Sequence, residues 1–247
     1  MKPTRETYSE LQLAYDFFNK NLFENSLPEC LITLQREKQT HGYYSPKRFI
    51  NKEHHQTDEI AMNPSYFSIR SIEDTLSTLV HEMVHLWQEH YGQSGRGRYH
   101  NKEWANKMID LGLMPSSTGA EGGKKTGDSV SHYIVNGGAF DHSYKKLTTT
   151  QFRLSWADRF PPIKAVSNMI TLANVKEGIS PALKELHNWG IDVNSIPPEK
   201  KQTRAKLSCP DCRANVWGKP SLNIMCGDCG AKYLVADLAE NTCDASN

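Results

Sequence analysis

The stretch over residues 72–91, IEDTLSTLVHEMVHLWQEHY, carries His81-Glu82-Met83-Val84-His85, and its reading decides the fold. Two imidazoles one helical turn apart reach a single ion together, and Glu82 between them stands beside that ion. At about 100° per residue, Leu76, Leu79, Val80, Met83, Val84 and Trp87 gather on one side of such a helix. His81 and His85 fall nearly opposite, so they are expected to face a cleft. A core helix that merely tolerated histidines would have no reason to pair them away from its apolar stripe with a glutamate between. Ser71 with Asp74 three residues on matches a capping box, and Gly92 supplies a stop, which predicts a helix from Ile72 to Tyr91.

A catalytic zinc takes three protein ligands and keeps one position open, so a third ligand is required. It does not lie six residues on, because that position is Tyr91. After a loop in which Gly92, Gly95 and Gly97 interleave with Arg96 and Arg98, a helix is expected from about His100 to Leu111. His100 and Glu103 stand three apart at its start, and both are candidates. Residue type and spacing leave the choice between them open.

Upstream, Leu11, Tyr15, Phe18 and Leu22 recur at helical steps and predict a first helix over 8–22. Leu31–Leu34, Gly42–Tyr44 and Glu59–Met62 read as short strands bounded by turn residues, and Asn63-Pro64 ends that pattern. Downstream, residues 115–138 are rich in Gly, Ser and Thr and are expected to form a long loop or lid. His132 or Tyr133 within it is a candidate donor to a developing oxyanion. Phe160-Pro161-Pro162 marks a boundary, Ser180-Pro181 opens a short helix, and Pro197-Pro198 begins a basic stretch with Lys200, Lys201, Arg204 and Lys206.

Cys209-Pro-Asp-Cys212 and Cys226-Gly-Asp-Cys229 have the spacing of two knuckles converging on one zinc. Four thiolates close the coordination shell, so this ion is expected to be structural, supporting a module too small to fold on its core alone. Trp217 and Tyr233, with Lys206, Arg213, Lys219 and Lys232 around them, suit base stacking and phosphate contacts. The two aromatic rings fit equally well as the small core of the ribbon.

Composition sets the outer limits. With 247 residues there is room for one generous domain or a domain plus a small module, since domains usually run roughly 100 to 200 residues. The chain is 38% hydrophobic and 23% charged, which suits a packed core rather than disorder. Lys and Arg number 29 against 28 Asp and Glu, so net charge names no partner and any nucleic-acid surface must be local. No apolar run suggests a signal peptide or membrane span, and the paired cysteines read as metal ligands rather than disulfides; the expected location is the cytoplasm.

A helix, a small sheet, His-Glu-Met-x-His, a glycine-containing loop and then His100-Asn101-Lys102-Glu103-Trp104 together resemble the SprT-like family, which includes the Spartan proteases. The resemblance spans roughly residues 8–114, and the ribbon extends it. It implies an α+β, zincin-like metallopeptidase domain over 1–160 with an insertion at 115–144, a partly helical basic linker over 161–206, a zinc ribbon over 207–236 and a tail over 237–247. It favours His100 as the third ligand beside His81 and His85, with Glu82 as general base and two zinc ions, one catalytic and one structural. It also implies protein substrates bound or crosslinked to DNA, engaged as single strands through the ribbon by Trp217, Tyr233, Arg213 and Lys219. Asn101 stands where the family commonly has glycine. A different class of reading keeps the fold without proteolysis and makes the chain a nucleic-acid-binding regulator, but a base beside an open metal position has no use in such a protein.

Overall fold

The computed structural model describes residues 2–37, 40–97, 99–162, 164–167, 181–192, 195–196 and 204–235. Arg98, Lys200, Lys201 and the tail with Cys243 lie outside them. The chain forms two compact units, Met1–Pro197 and Pro198–Asn247.

In the first unit α1 runs Pro3–Leu22, starting five residues before the expected start at Tyr8 because Pro3, with φ already helical, occupies the first turn. Its buried face is Leu11, Ala14, Tyr15, Phe18 and Leu22. The helix ends at Phe23, well before Pro28: Glu24 and Asn25 turn back with φ of 56° and 58°, and the Asn19 amide both donates to and accepts from the Leu27 backbone. Next come β1 (Leu31–Leu34), β2 (Gly42–Ile50) and β3 (Gln56–Met62), in the order β1-β3-β2. β1 runs parallel and β2 antiparallel to the buried central strand β3. β2 extends past Tyr44 to Ile50 by way of a bulge between Ser45 and Phe49, where Lys47 has φ 48°.

The Asn63 side chain accepts from the Ser65 amide and donates to the Glu37 and Thr40 carbonyls, so the chain leaves β3 through a short 3-10 turn, Pro64–Tyr66. α2 follows over Ile72–Tyr91, capped by Ser71, whose hydroxyl accepts from the Asp74 amide. Only half of a reciprocal box forms: the Asp74 carboxylate accepts from the Ser71 hydroxyl. The helix is more central than its apolar stripe suggested, for every residue from Thr75 to Val84 is buried. β2 passes so close that a Cβ at Gly42 would lie 3.1 Å from Thr78 Cγ2 and 2.8 Å from the Ala61 carbonyl oxygen.

α3 spans Lys102–Asp110, with Asn101 as its N-cap accepting from the Trp104 amide. The expected loop over 115–138 is in part a two-stranded sheet: β4 (Leu113–Ser116) pairs antiparallel with β5 (Ser131–Ile134). α4 (Ala139–Thr148) then returns to α1, stacking Phe140 on Phe18 at 5.5 Å between ring centroids. Past Phe160-Pro161-Pro162, Val166, Leu186 of α5 (Pro181–Asn188) and Ile196 join Ile69 in a small second core. The first compact unit therefore continues beyond that proline-rich break.

The second unit holds β6 (Ala205–Ser208), β7 (Asn215–Gly218) and β8 (Leu234–Val235), ordered β7-β6-β8. Its core is Leu207, Cys209, Cys226 and Tyr233.

Candidate metal centre

α2 presents His81 and His85 from successive turns, and the loop after it delivers His100. One ligand nitrogen from each of the three lies within 4.8 Å of the others. The ring centroids are 5.3 Å apart for His81 and His85, 5.4 Å for His81 and His100, and 4.8 Å for His85 and His100. Trp104, one turn into α3, lies against all three rings, at 4.8, 5.2 and 4.3 Å.

Glu103 has other work. Its Oε2 accepts from the Gln93 amide and from Gln88 Nε2, which also donates to Asn101 Oδ1. The carboxylate approaches the chain at Gly92, where a Cβ would sit 2.5 Å from Oε2. Gly92 is in extended backbone, φ −127° and ψ −154°, so it is needed here for close approach and not for a left-handed turn. Asn101, with its Nδ2 on the Gln93 carbonyl, completes this clasp. The clasp ties the end of α2 to the start of α3 and fixes where His100 enters.

Burial keeps the imidazoles neutral, the form that binds a metal. It pushes His81 well below the usual histidine range, with the neighbouring His132, His85 and His100 adding to the effect, and takes His85 down to about 3. His100 is lowered by burial too. Its Nδ1 donates to the Gly127 carbonyl at 3.0 Å, which leaves Nε2 for a ligand role. Glu82 is buried beside them and pushed up to about 8, with the Tyr44 amide working in the other direction. Tyr44 itself lies parallel to His85 at 6.4 Å and donates from its hydroxyl to Asp58.

Three neutral imidazoles converging on one point, a carboxylate beside them and an adjacent indole fit a zinc centre. The Trp104 N–H is the one buried side-chain polar atom without a partner among the described residues.

Of the two expected oxyanion donors, His132 is engaged elsewhere. His132 has both ring nitrogens occupied, Nδ1 at 3.1 Å from His81 Nδ1 and Nε2 at 2.8 Å from Ser77 Oγ. Tyr133, next along β5, points to the opposite face of the sheet. Residue types alone did not reveal the pairing of His132 with His81, although the run Val130-Ser-His-Tyr-Ile-Val135 has the composition of a strand.

In the ribbon Cys209, Cys212, Cys226 and Cys229 bring their sulfurs within 4.8 Å of one another. The two knuckles repeat one hydrogen-bond pattern. Arg213 N donates to the Cys209 carbonyl and Gly230 N to the Cys226 carbonyl, while Cys209 N and Cys226 N donate to Ala214 and Ala231. Arg213 and Gly230 both take left-handed φ, 61° and 68°. Backbone amides of Cys229 and Asp228 lower the Cys226 thiol to about 7, whereas the neighbouring Cys212 pushes Cys229 up to about 12. The two aromatic residues separate: Tyr233 is 8% exposed and belongs to the core, whereas Trp217 is 66% exposed and lies opposite Lys206 in the β6–β7 register. Burial takes Tyr233 away from the stacking role expected of it. Arg213 and Lys219 are exposed.

A model of the SprT-like family matches residues 11–121, which hold α1, the sheet, α2 and all three histidines. The chain belongs to the SprT-like family. Over 59 residues this SprT-like chain is also 68% identical to an uncharacterized protein in the mucB 3' region of Salmonella typhimurium, a match covering 24% of the chain and 80% of that protein. No solved structure matches it significantly. The family is associated with metallopeptidase activity and a zincin-like fold, and both metal-ligand groups fit zinc. Among the described residues no helix is long and apolar enough to cross a membrane.

Proposed function

We propose that the chain is a zinc-dependent endopeptidase that cleaves proteins bound or crosslinked to DNA. The observation that carries the peptidase reading is the convergence of His81, His85 and His100 within 4.8 Å with Glu82 buried beside them. Zinc held there supplies Lewis acidity toward a water and a peptide carbonyl. Glu82, its carboxylate accepting the Tyr44 amide, would be kept ionised by the charge of a metal held beside it, and would take the proton of the attacking water and return it to the departing amine. Burial around the cluster excludes bulk water and strengthens each of these interactions.

The DNA part of the reading rests on the ribbon. Trp217 stands outward opposite Lys206, with Arg213 and Lys219 exposed nearby, an arrangement suited to stacking on an unpaired base while cations meet its phosphates. The cysteine-bound zinc holds that surface in shape and takes no part in hydrolysis.

The test is cleavage of a DNA-binding protein by the zinc-loaded chain, with and without single-stranded DNA, beside Glu82→Gln and Trp217→Ala. Glu82→Gln should retain zinc and lose activity by a factor on the order of 10² to 10⁴. Trp217→Ala should lose DNA stimulation but keep basal cleavage. Wild-type activity in Glu82→Gln would remove the peptidase mechanism, and DNA binding without cleavage by the wild type would establish the regulator instead.

A further inference from the structure

Every ligand histidine has two ring nitrogens, and it binds a metal with one only if the proton sits on the other. For His81 this choice is made outside the stretch matched to the family, by a residue on β5.

The chain of donors begins at the Asp74 carbonyl, which can only accept. Ser77 Oγ lies 2.8 Å from it and gives it the hydroxyl proton. Ser77 Oγ is thereby left as an acceptor toward His132 Nε2 at 2.8 Å, so His132 carries its proton on Nε2 and presents a lone pair at Nδ1. That lone pair faces His81 Nδ1 at 3.1 Å.

We propose that His132 is a positioning residue for the metal centre, accepting from His81 Nδ1–H so that Nε2 of His81 is the ligand atom. The proposal rests on the reading of the three histidines as a zinc site. Pairing of β5 with β4, which sets His132 opposite Pro115, holds the imidazole in place. Gly127, in the segment between those strands, does for His100 what His132 does for His81, through its carbonyl. The glycine-rich insertion thus orients two of the three ligands.

The test measures zinc affinity by competition with a chromophoric chelator, and the visible spectrum of the cobalt-substituted protein, for the full chain and for His132→Ala and His132→Asn. Asparagine places Oδ1 near the position of the imidazole Nδ1 and keeps an acceptor there. His132→Ala should weaken the histidine site by about 10- to 100-fold, the usual cost of losing an outer partner of a ligating histidine. Its cobalt d–d bands should change, while the thiolate-to-cobalt charge-transfer bands of the ribbon stay as they were. His132→Asn should recover most of the affinity. A role in stability alone would lower the melting temperature and leave affinity and d–d bands untouched, and that result overturns the proposal. If the wild type shows only the thiolate bands and one equivalent of metal, the zinc-site reading itself fails and the proposal falls with it, by a signature distinct from the first.

Discussion

Asp58 is 5% exposed and gathers three donors: the Tyr44 hydroxyl at 2.9 Å, the Lys47 amide at 2.6 Å and the His90 ring at 2.7 Å. Burial by itself would raise its pKa, but the Lys47 amide, His90 and Tyr44 together hold it below the usual carboxylate range. A carboxylate depressed on folding contributes stability that is present above its unfolded pKa, about 3.9, and is lost as pH falls through the lower folded value. Asp58→Asn cannot accept all three bonds and should cost about 1 to 3 kcal/mol at pH 7. The gap from wild type should narrow at pH 3, read as urea midpoints at both pH values; an equal gap at both would show that ionisation of Asp58 is not what stabilises. Arg213 offers a second test at this scale. Its left-handed φ of 61° matches that of Gly230 in the other knuckle, so Arg213→Gly should leave the ribbon as stable or slightly more so. If Arg213 also meets phosphate, the same change weakens DNA binding and reduces its salt dependence, so a melt and a binding isotherm separate the two roles.

At the scale of elements, the α2–α3 connection decides where His100 stands, and Gly92 is its tightest point. Gly92→Ala would drive a methyl to within about 2.5 Å of the Glu103 carboxylate. The side chain must then swing away and release the Gln93 amide and Gln88. Zinc affinity at the histidine site and thermal stability should both fall, whereas Asn101→Ala, which removes the cap of α3, should cost about 0.5 to 2 kcal/mol. An unchanged zinc affinity in Gly92→Ala would show that the clasp does not set the ligand. These elements were legible to different degrees for physical reasons. α2 announced itself through a cap, a stop and periodicity, all local signals, and its predicted bounds agree with the structure. The convergence of His81 and His85 follows from helix geometry alone. The choice of His100 over Glu103 needed the three-dimensional clasp, because two side chains three apart at a helix start are equivalent by spacing. β4 and β5 were missed because four-residue strands separated by a Gly- and Ser-rich segment stabilise one another only through pairing between them, and that pairing leaves no period in the sequence. His132 went with them.

Across the whole molecule the two units draw their stability from different sources. The first has an apolar core of α1, α2, α3 and the sheet, with Tyr15, Phe18, Met83, Trp104 and Phe140 almost wholly buried. Among the described residues the second has four buried core residues, two of them cysteines, Cys209 and Cys226. So small an apolar core does not sustain a fold by itself, and metal binding at such a site is folding free energy. Chelation of zinc should therefore unfold the ribbon and spare the first unit. In the first unit a bound metal would add to a fold that its own core already sustains, through mass action. Heating the zinc-loaded chain with and without a strong chelator should show this as a transition that disappears on chelation and another that moves by only a few degrees. Hydrogen exchange of the β6–β8 backbone amides reports on the ribbon, and far-UV circular dichroism reports on the helices, all of which lie in the first unit among the described residues. Cys226→Ser should reproduce the effect of chelation on that amide exchange without altering zinc affinity at the histidines. A single transition that collapses as a whole on chelation would mean that the helical unit depends on metal as much as the ribbon does, and the histidine site would then be a structural one.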